Sequence, residues 1–352
     1  MQLITNADDF GRTREINAAV IEAHLTGTLT SASLMVNAGA WENAVELCRQ
    51  TPSLAVGLHV TTIDGATATG AALGKLVDSG GVLPPGPVRL GRAYALSAAH
   101  RRAIRAEIEA QFARFASTGL PLSHVDGHWN FHLHPALADI ILPLAARHGA
   151  AGVRVVREMP LFPSGGFSAC TLPQAALAAT FRMLSARLAR HARAVGLATP
   201  RASFGLAASG HMEEKTVLEA LDYINNTGAA SAEFVFHPTT GPRLNDLGPN
   251  PGDLAALLST AVRRRLELGD IVLSRYHDLA KTGTHDGHAA GDDTAGHNGD
   301  KLGLLGSGDV VRAPNAGSQG TSRPAAGAAV APDATGALPP HGVHPQAVER
   351  RG

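Results

Sequence analysis

Short apolar and β-branched runs alternate along the chain with longer stretches in which apolar residues recur every three or four positions. The β-like runs cover residues 3–6, 31–36, 55–59, 122–126, 153–156, 233–237 and 271–274. Helical spacing covers 16–25, 98–115, 135–148, 173–195, 213–225 and 251–268. Repeated alternation of strand and helix predicts an α/β fold with a parallel sheet, and of the open and closed forms we expect an irregular (β/α) barrel. Beyond about Thr282 the periodicity stops. Gly, Ala, Asp, His, Pro and Ser dominate 282–352, a composition that buries too little apolar surface to offset the entropy of ordering. The pattern therefore predicts a barrel domain over 1–281 and a disordered tail over 282–352.

Composition narrows the class. With 352 residues and 44% hydrophobic content, the chain is long enough to enclose a sizeable core. Thirty basic residues balance thirty acidic ones, so nothing electrostatic argues for nucleic acid as a partner. Cys48 and Cys170 stand in no paired motif, which implies no disulfide framework and favours a reducing compartment. No apolar stretch approaches the ~20 residues that span a bilayer. The expectation is a soluble cytoplasmic protein of undetermined oligomeric state.

In parallel βα proteins, functional side chains gather at the carboxyl ends of strands. Those ends hold Asp8-Asp9, then His59, then His124-Val125-Asp126-Gly127-His128, then Arg154 and Arg157, and late in the chain His237. Two adjacent carboxylates can share a site only where the strand ends and the backbone turns, because consecutive strand residues face opposite ways. The same pair could instead cap the helix that starts near Thr13. A hydrolytic metal site needs three protein ligands of mixed His and carboxylate type with positions left for water. Asp9, His59 and His128 would supply them. His132 and His134 precede Pro135, a helix-start signal, and lie in the preceding loop as candidates for substrate contact or for support.

These motifs resemble those of the YdjC-like carbohydrate deacetylases. Asn6-Ala7-Asp8-Asp9-Phe10-Gly11, Val56-Gly57-Leu58-His59, His124 to His128 with His132, Arg154-Val155-Val156-Arg157 and Phe236-His237-Pro238 occur in the family's order across about 1–278. Asp64-Gly65, Asn130 to Pro135, Arg157-Glu158, Phe204-Gly205-Leu206 and Ser209 to Met212 look closest to the subgroup associated with hopanoid biosynthesis. Arg201-Ala202-Ser203 departs from that subgroup's more polar approach to Phe204, which bears on substrate detail.

The resemblance implies a polysaccharide-deacetylase-type barrel that removes acetyl groups from N-acetylated sugars, in this subgroup from an N-acetylglucosaminyl hopanoid glycolipid. A soluble chitin-type substrate is the alternative, and a non-catalytic sugar- or metal-binding protein a third. It implies one divalent metal, Zn²⁺ or Mg²⁺ first, with Mn²⁺, Co²⁺ and Ni²⁺ also open. Asp8 would accept the proton of the attacking water, Arg157 or Arg154 would orient it, and His237 would protonate the leaving amine. Arg154, His132, His134 and Phe162 are the substrate-contact candidates. Two later segments bear on a lipid substrate: the apolar Gly-rich run 160–167, and the helix 181–195, in which Phe181, Leu184, Leu188 and Val195 can share a face beside Arg182, Arg187, Arg190 and Arg193. That helix either packs on the barrel or touches an anionic inner membrane surface.

Overall fold

The first strand, β1 (Gln2–Phe10), is buried from Leu3 onward, as a strand covered on both faces must be. The computed structural model describes residues 1–157, 172–206, 208–269 and 271–282. Nine further strands follow: β2 (Ser31–Leu34), β3 (Ala55–Val60), β4 (Gly65–Ala66), β5 (Val82–Leu83), β6 (His124–Gly127), β7 (Gly152–Val153), β8 (Ala202–Phe204), β9 (Ser231–Phe236) and β10 (Val272–Leu273). Seven of these join β1 in one parallel sheet of order β7-β6-β3-β2-β1-β9-β8, with β10 beside the start of β1. The sheet curls into a half-barrel. An isolated parallel bridge between Gly152 and Ala198 links the β7 edge to the segment leading into β8. β4 and β5 form a separate antiparallel pair.

Helices surround the sheet and start where local chemistry permits. Thr13 caps the helix Arg14–Thr26, its hydroxyl accepting the Ile16 amide, so Asp8 and Asp9 are not needed as caps. The single helix expected over 251–268 is two, Pro251–Leu258 and Thr260–Leu268. Ser259 separates them by accepting the Ala261 and Val262 amides. Three helices, Trp41–Gln50, Pro87–Leu96 and Tyr276–Lys281, and the strand β8 were not expected from periodicity. All are short, and short amphipathic runs are ambiguous by pattern alone.

The helix Leu172–Ala194 buries Ser185, Leu188, Ala189 and Ala192. Arg187 donates to Asp139 on the neighbouring helix Pro135–Arg147. Val195 lies beyond its end and is exposed, which removes it from the expected apolar face. No described helix is long and apolar enough to cross a membrane. The run 160–167 and the expected tail beyond Thr282 lie outside the described residues.

Gly57 marks a close approach between β3 and the ring behind it, since a Cβ at this position would stand 2.5 Å from the His124 imidazole. Gly57→Ala is expected to destabilise the fold by about 1–3 kcal/mol through overpacking. Denaturant unfolding checks this, and an unchanged midpoint would show that the His124 ring can yield.

Candidate metal centre and catalytic cavity

Asp8 and Asp9 face one site because β1 carries a bulge rather than because it ends. Its register with β2 slips between Ala7 and Phe10, and Asp9 takes a left-handed φ of 60°. The extra residue breaks the strand's alternation and lets both carboxylates reach the same cavity. His59 comes from the end of β3 and His128 follows β6 directly. Asp9 Oδ1 stands 3.0 Å from His128 Nδ1 and 3.6 Å from His59 Nε2. All three side chains are buried.

Their donor atoms lie within 4.8 Å of one another, a grouping that could hold a metal ion. Asp9 Oδ1 and His128 Nε2 have no aligned hydrogen-bond partner despite their burial. Such orphaned polar atoms demand an explanation, and a bound cation is one. The mixed carboxylate and imidazole set suits a divalent ion. His59 donates from Nδ1 to Asp126 Oδ1 at 2.8 Å, which fixes its tautomer and turns Nε2 toward Asp9. That arrangement is typical behind a metal-ligating histidine. Burial by itself would raise the Asp9 carboxyl, but His128, Arg12 and His59 hold it well below the usual carboxylate range. Burial would likewise lower His128, yet Asp9 and Asp64 push it up to about 9.

A second grouping, Asp8, His59 and Asp126, already contains a cation. Arg154, 1% exposed, donates from Nη1 and Nη2 to the two Asp8 oxygens at 2.7 Å each. It also reaches Asp126 Oδ2 at 2.8 Å and, through Nε, Glu233 Oε1 at 3.1 Å. Arg154 therefore clamps Asp8, the orienting role that the resemblance offered to Arg157 or Arg154, and it also lines the cavity. A fork-shaped guanidinium is suited to this bidentate hold. Tyr276 donates to Glu233 Oε2 at 2.8 Å and stacks on His124 at 4.5 Å. Burial raises Glu233 to about 7 against the pull of Arg154, and lowers His124 to about 4. Ser33 completes the back wall, donating to Asp126 Oδ2 at 2.7 Å.

Sequence reasoning missed Glu233 and Tyr276, and quoted Asp126 without a role. The signal for Asp126 was the every-second-residue spacing of His124, Asp126 and His128. Tyr276 carries no local signal.

His237, directly after β9, places Nε2 4.0 Å from Asp8 Oδ2. Its amide donates to Asp253 at 2.9 Å. The Arg157 amide donates to Ser203 Oγ at 2.8 Å, and burial lowers its guanidinium. His132 is 1% exposed and donates to the Arg154 carbonyl at 3.1 Å; burial lowers it to about 4. It supports the Arg154 backbone. His134 lies outside the catalytic cavity, stacked near Phe131 and bordering a surface groove with Arg101 and Asp139. Neither histidine is among the residues that line the cavity, and His132 takes the supporting role that was one of its two expected ones. Phe162 lies outside the described residues.

The cavity measures about 360 Å³. Its polar lining includes Asp8, Asp9, His59, Asp64, His128 and His237, and its apolar lining Val156, Phe181, Leu206, Val235 and Leu247. Among the described residues, four non-glycine residues have positive φ: Asp9, Asp64, Trp129 and Asn130. All four line this cavity. Strained backbone gathered at one place points to function there.

The model of the YdjC-like protein family matches residues 2–268. The chain belongs to the YdjC-like family. A carbohydrate deacetylase of Brevibacillus brevis is 39% identical over 148 residues, 42% of this chain and 57% of that protein. A carbohydrate deacetylase of Vibrio cholerae is 39% identical over 149 residues, 42% and 56% of the two chains. The matched stretches thus span somewhat over half the length of these YdjC-like relatives. A crystal structure of an Enterococcus faecalis protein, described as a cellobiose-phosphate cleavage protein, superposes with a TM-score of 0.59 at 22% identity. It covers 79% of this chain and 98% of that one, which establishes a shared fold.

Proposed function

We propose that this YdjC-like protein is a metal-dependent deacetylase that hydrolyses the acetamide of an N-acetylglucosaminyl group to acetate and a free amine. The observation that carries this reading is the meeting of Asp9, His59 and His128 in one cavity with Asp8 and His237 beside them. The carbohydrate deacetylases among its relatives support the amide-hydrolysing reaction.

Asp9, His59 and His128 would hold one divalent ion, Zn²⁺ or Mg²⁺ first. Bound there, the ion would supply positive charge that acidifies water and polarises the amide carbonyl. Asp8, fixed by Arg154 on both oxygens, takes a proton from the attacking water. His237 gives a proton to the departing nitrogen. His237 Nε2 stands 4.0 Å from Asp8 Oδ2, so the residue that gives a proton and the residue that takes one are neighbours in the cavity. Arg154 aims Asp8 by holding both of its oxygens, while its own position is held by Asp126 and Glu233.

The favoured substrate is an N-acetylglucosaminyl hopanoid glycolipid. The apolar lining of the cavity supports it, since Phe181, Leu206 and the 57% exposed Leu247 offer an unpolar aglycone a surface that an oligosaccharide would not use. This reading entails a cytoplasmic protein in peripheral contact with the inner membrane surface. The test is acetate release from the vesicle-borne glycolipid and from chitobiose, each with and without chelator. Faster, chelator-sensitive turnover of the glycolipid is expected. Preference for chitobiose would favour the soluble-substrate alternative, and no acetate from either would end the deacetylase reading.

A further inference from the structure

The chain has two tryptophans, and one of them stands at the mouth of the cavity. Trp129 follows His128 directly, lines the cavity and remains 39% exposed. A large aromatic left open to water beside buried polar groups forgoes the burial it would gain in a core. Its backbone is also held in a left-handed conformation, φ 56°, and so is that of Asn130, φ 54°. Asparagine adopts this region readily, but tryptophan does not, so local preference leaves the Trp129 conformation unexplained. Tertiary structure imposes it, through Gly127, where the His132 backbone approaches to 3.1 Å of a Cβ position, and through the His132 bond to Arg154.

Polar groups border the indole. Asn130 Oδ1 is buried with no hydrogen-bond partner. Asp64 and Arg12 line the same cavity and keep 33% and 30% of their side chains exposed, Arg12 while donating to Asp9 Oδ2 at 2.8 Å. A flat apolar face that shares one cavity with a carboxylate and an amide is the chemistry that recognises a pyranose, whose axial C–H groups stack and whose hydroxyls donate and accept. We infer that Trp129 is the stacking platform for the sugar ring of the substrate, with Asn130 and Asp64 taking its hydroxyls. The inference rests on the proposed function for the reaction, and on the cavity alone for the ligand.

Fluorescence tests it without relying on turnover. Trp41 packs under Arg114, whose guanidinium lies 5.5 Å from the ring centroid. The variant Trp41→Phe leaves Trp129 as the sole indole. Mixing that full-length variant with chitobiose should give a saturable change in emission within the mixing time. In the wild-type background, Trp129→Gly, which accepts the left-handed backbone without strain, should raise KM for chitobiose at least tenfold with kcat within threefold. Trp129→Tyr should recover most of that loss. Silent emission together with a KM within twofold of wild type in Trp129→Gly would overturn the platform while leaving the deacetylase intact. A saturable emission change without any acetate release would do the reverse, sinking the reaction and keeping the sugar site.

Discussion

His59→Ala is expected to strip the protein of its divalent ion and of activity while leaving it folded. The side chain offers Nε2 to the site only because Asp126 holds Nδ1, so the alanine removes a ligand and leaves Asp126 with Ser33 and Arg154 as remaining partners. Those contacts are why folding should survive. Loss of a directing partner such as Asp126 typically lowers metal affinity about 10- to 100-fold. Removal of the ligand itself should exceed that, and His128→Ala should match it. Asp126→Asn should fall between these variants and wild type. Binding should also be pH-dependent. His128, pushed up to about 9, carries a proton at neutral pH that a cation must displace, so affinity should rise as pH rises toward that value. Metal analysis after dialysis and isothermal titration read both effects. Stoichiometric metal in folded His59→Ala would remove it from the ligand set.

Asp8→Asn should keep the metal and lose turnover by about 10²- to 10⁴-fold, the range ascribed to a positioned general base. The amide oxygen still accepts from Arg154, and Arg154 keeps Asp126 and Glu233, so no uncompensated buried charge is created. Arg154→Ala would be a poorer test. It would leave Asp8, Asp126 and Glu233 without their shared cation, and breaking a buried pair costs about 3–5 kcal/mol, enough to confuse unfolding with lost chemistry. Steady-state kinetics of Asp8→Asn beside its metal content and thermal midpoint separate the possibilities. A wild-type rate with full metal occupancy would show that the base lies elsewhere.

The pattern of the chain by itself determined the alternation of strands and helices and the residues that meet at the strand ends. Asp8, Asp9, His59, His128 and His237 were legible because each sits where an apolar run stops, and the end of a parallel strand is where such groups gather. Short elements were not legible. The strand β8 and the helices Trp41–Gln50, Pro87–Leu96 and Tyr276–Lys281 are too brief for their period to stand out, and packing against the sheet decides them.

Tertiary structure alone decided the bulge in β1. Nothing in Ala7-Asp8-Asp9-Phe10 announces that Asp9 adopts a positive φ, because pairing with β2 and β9 sets the register. It also decided what the arginine and the loop histidines do. Arg154 could have faced a substrate, and became the centre of a buried network because Asp8, Asp126 and Glu233 converge on it from three other strands. His132 and His134 sit two residues apart, yet one is sealed beneath the Arg154 carbonyl and the other faces a separate groove. Tyr276 lies beyond residue 268, where the family match stops, and still reaches the wall behind Asp8 through Glu233. Spacing along a chain records which side chains an element presents. Which distant charges surround each of them, and so whether it supports or reacts, depends on the curl of the sheet that brings those charges within 3 to 4 Å.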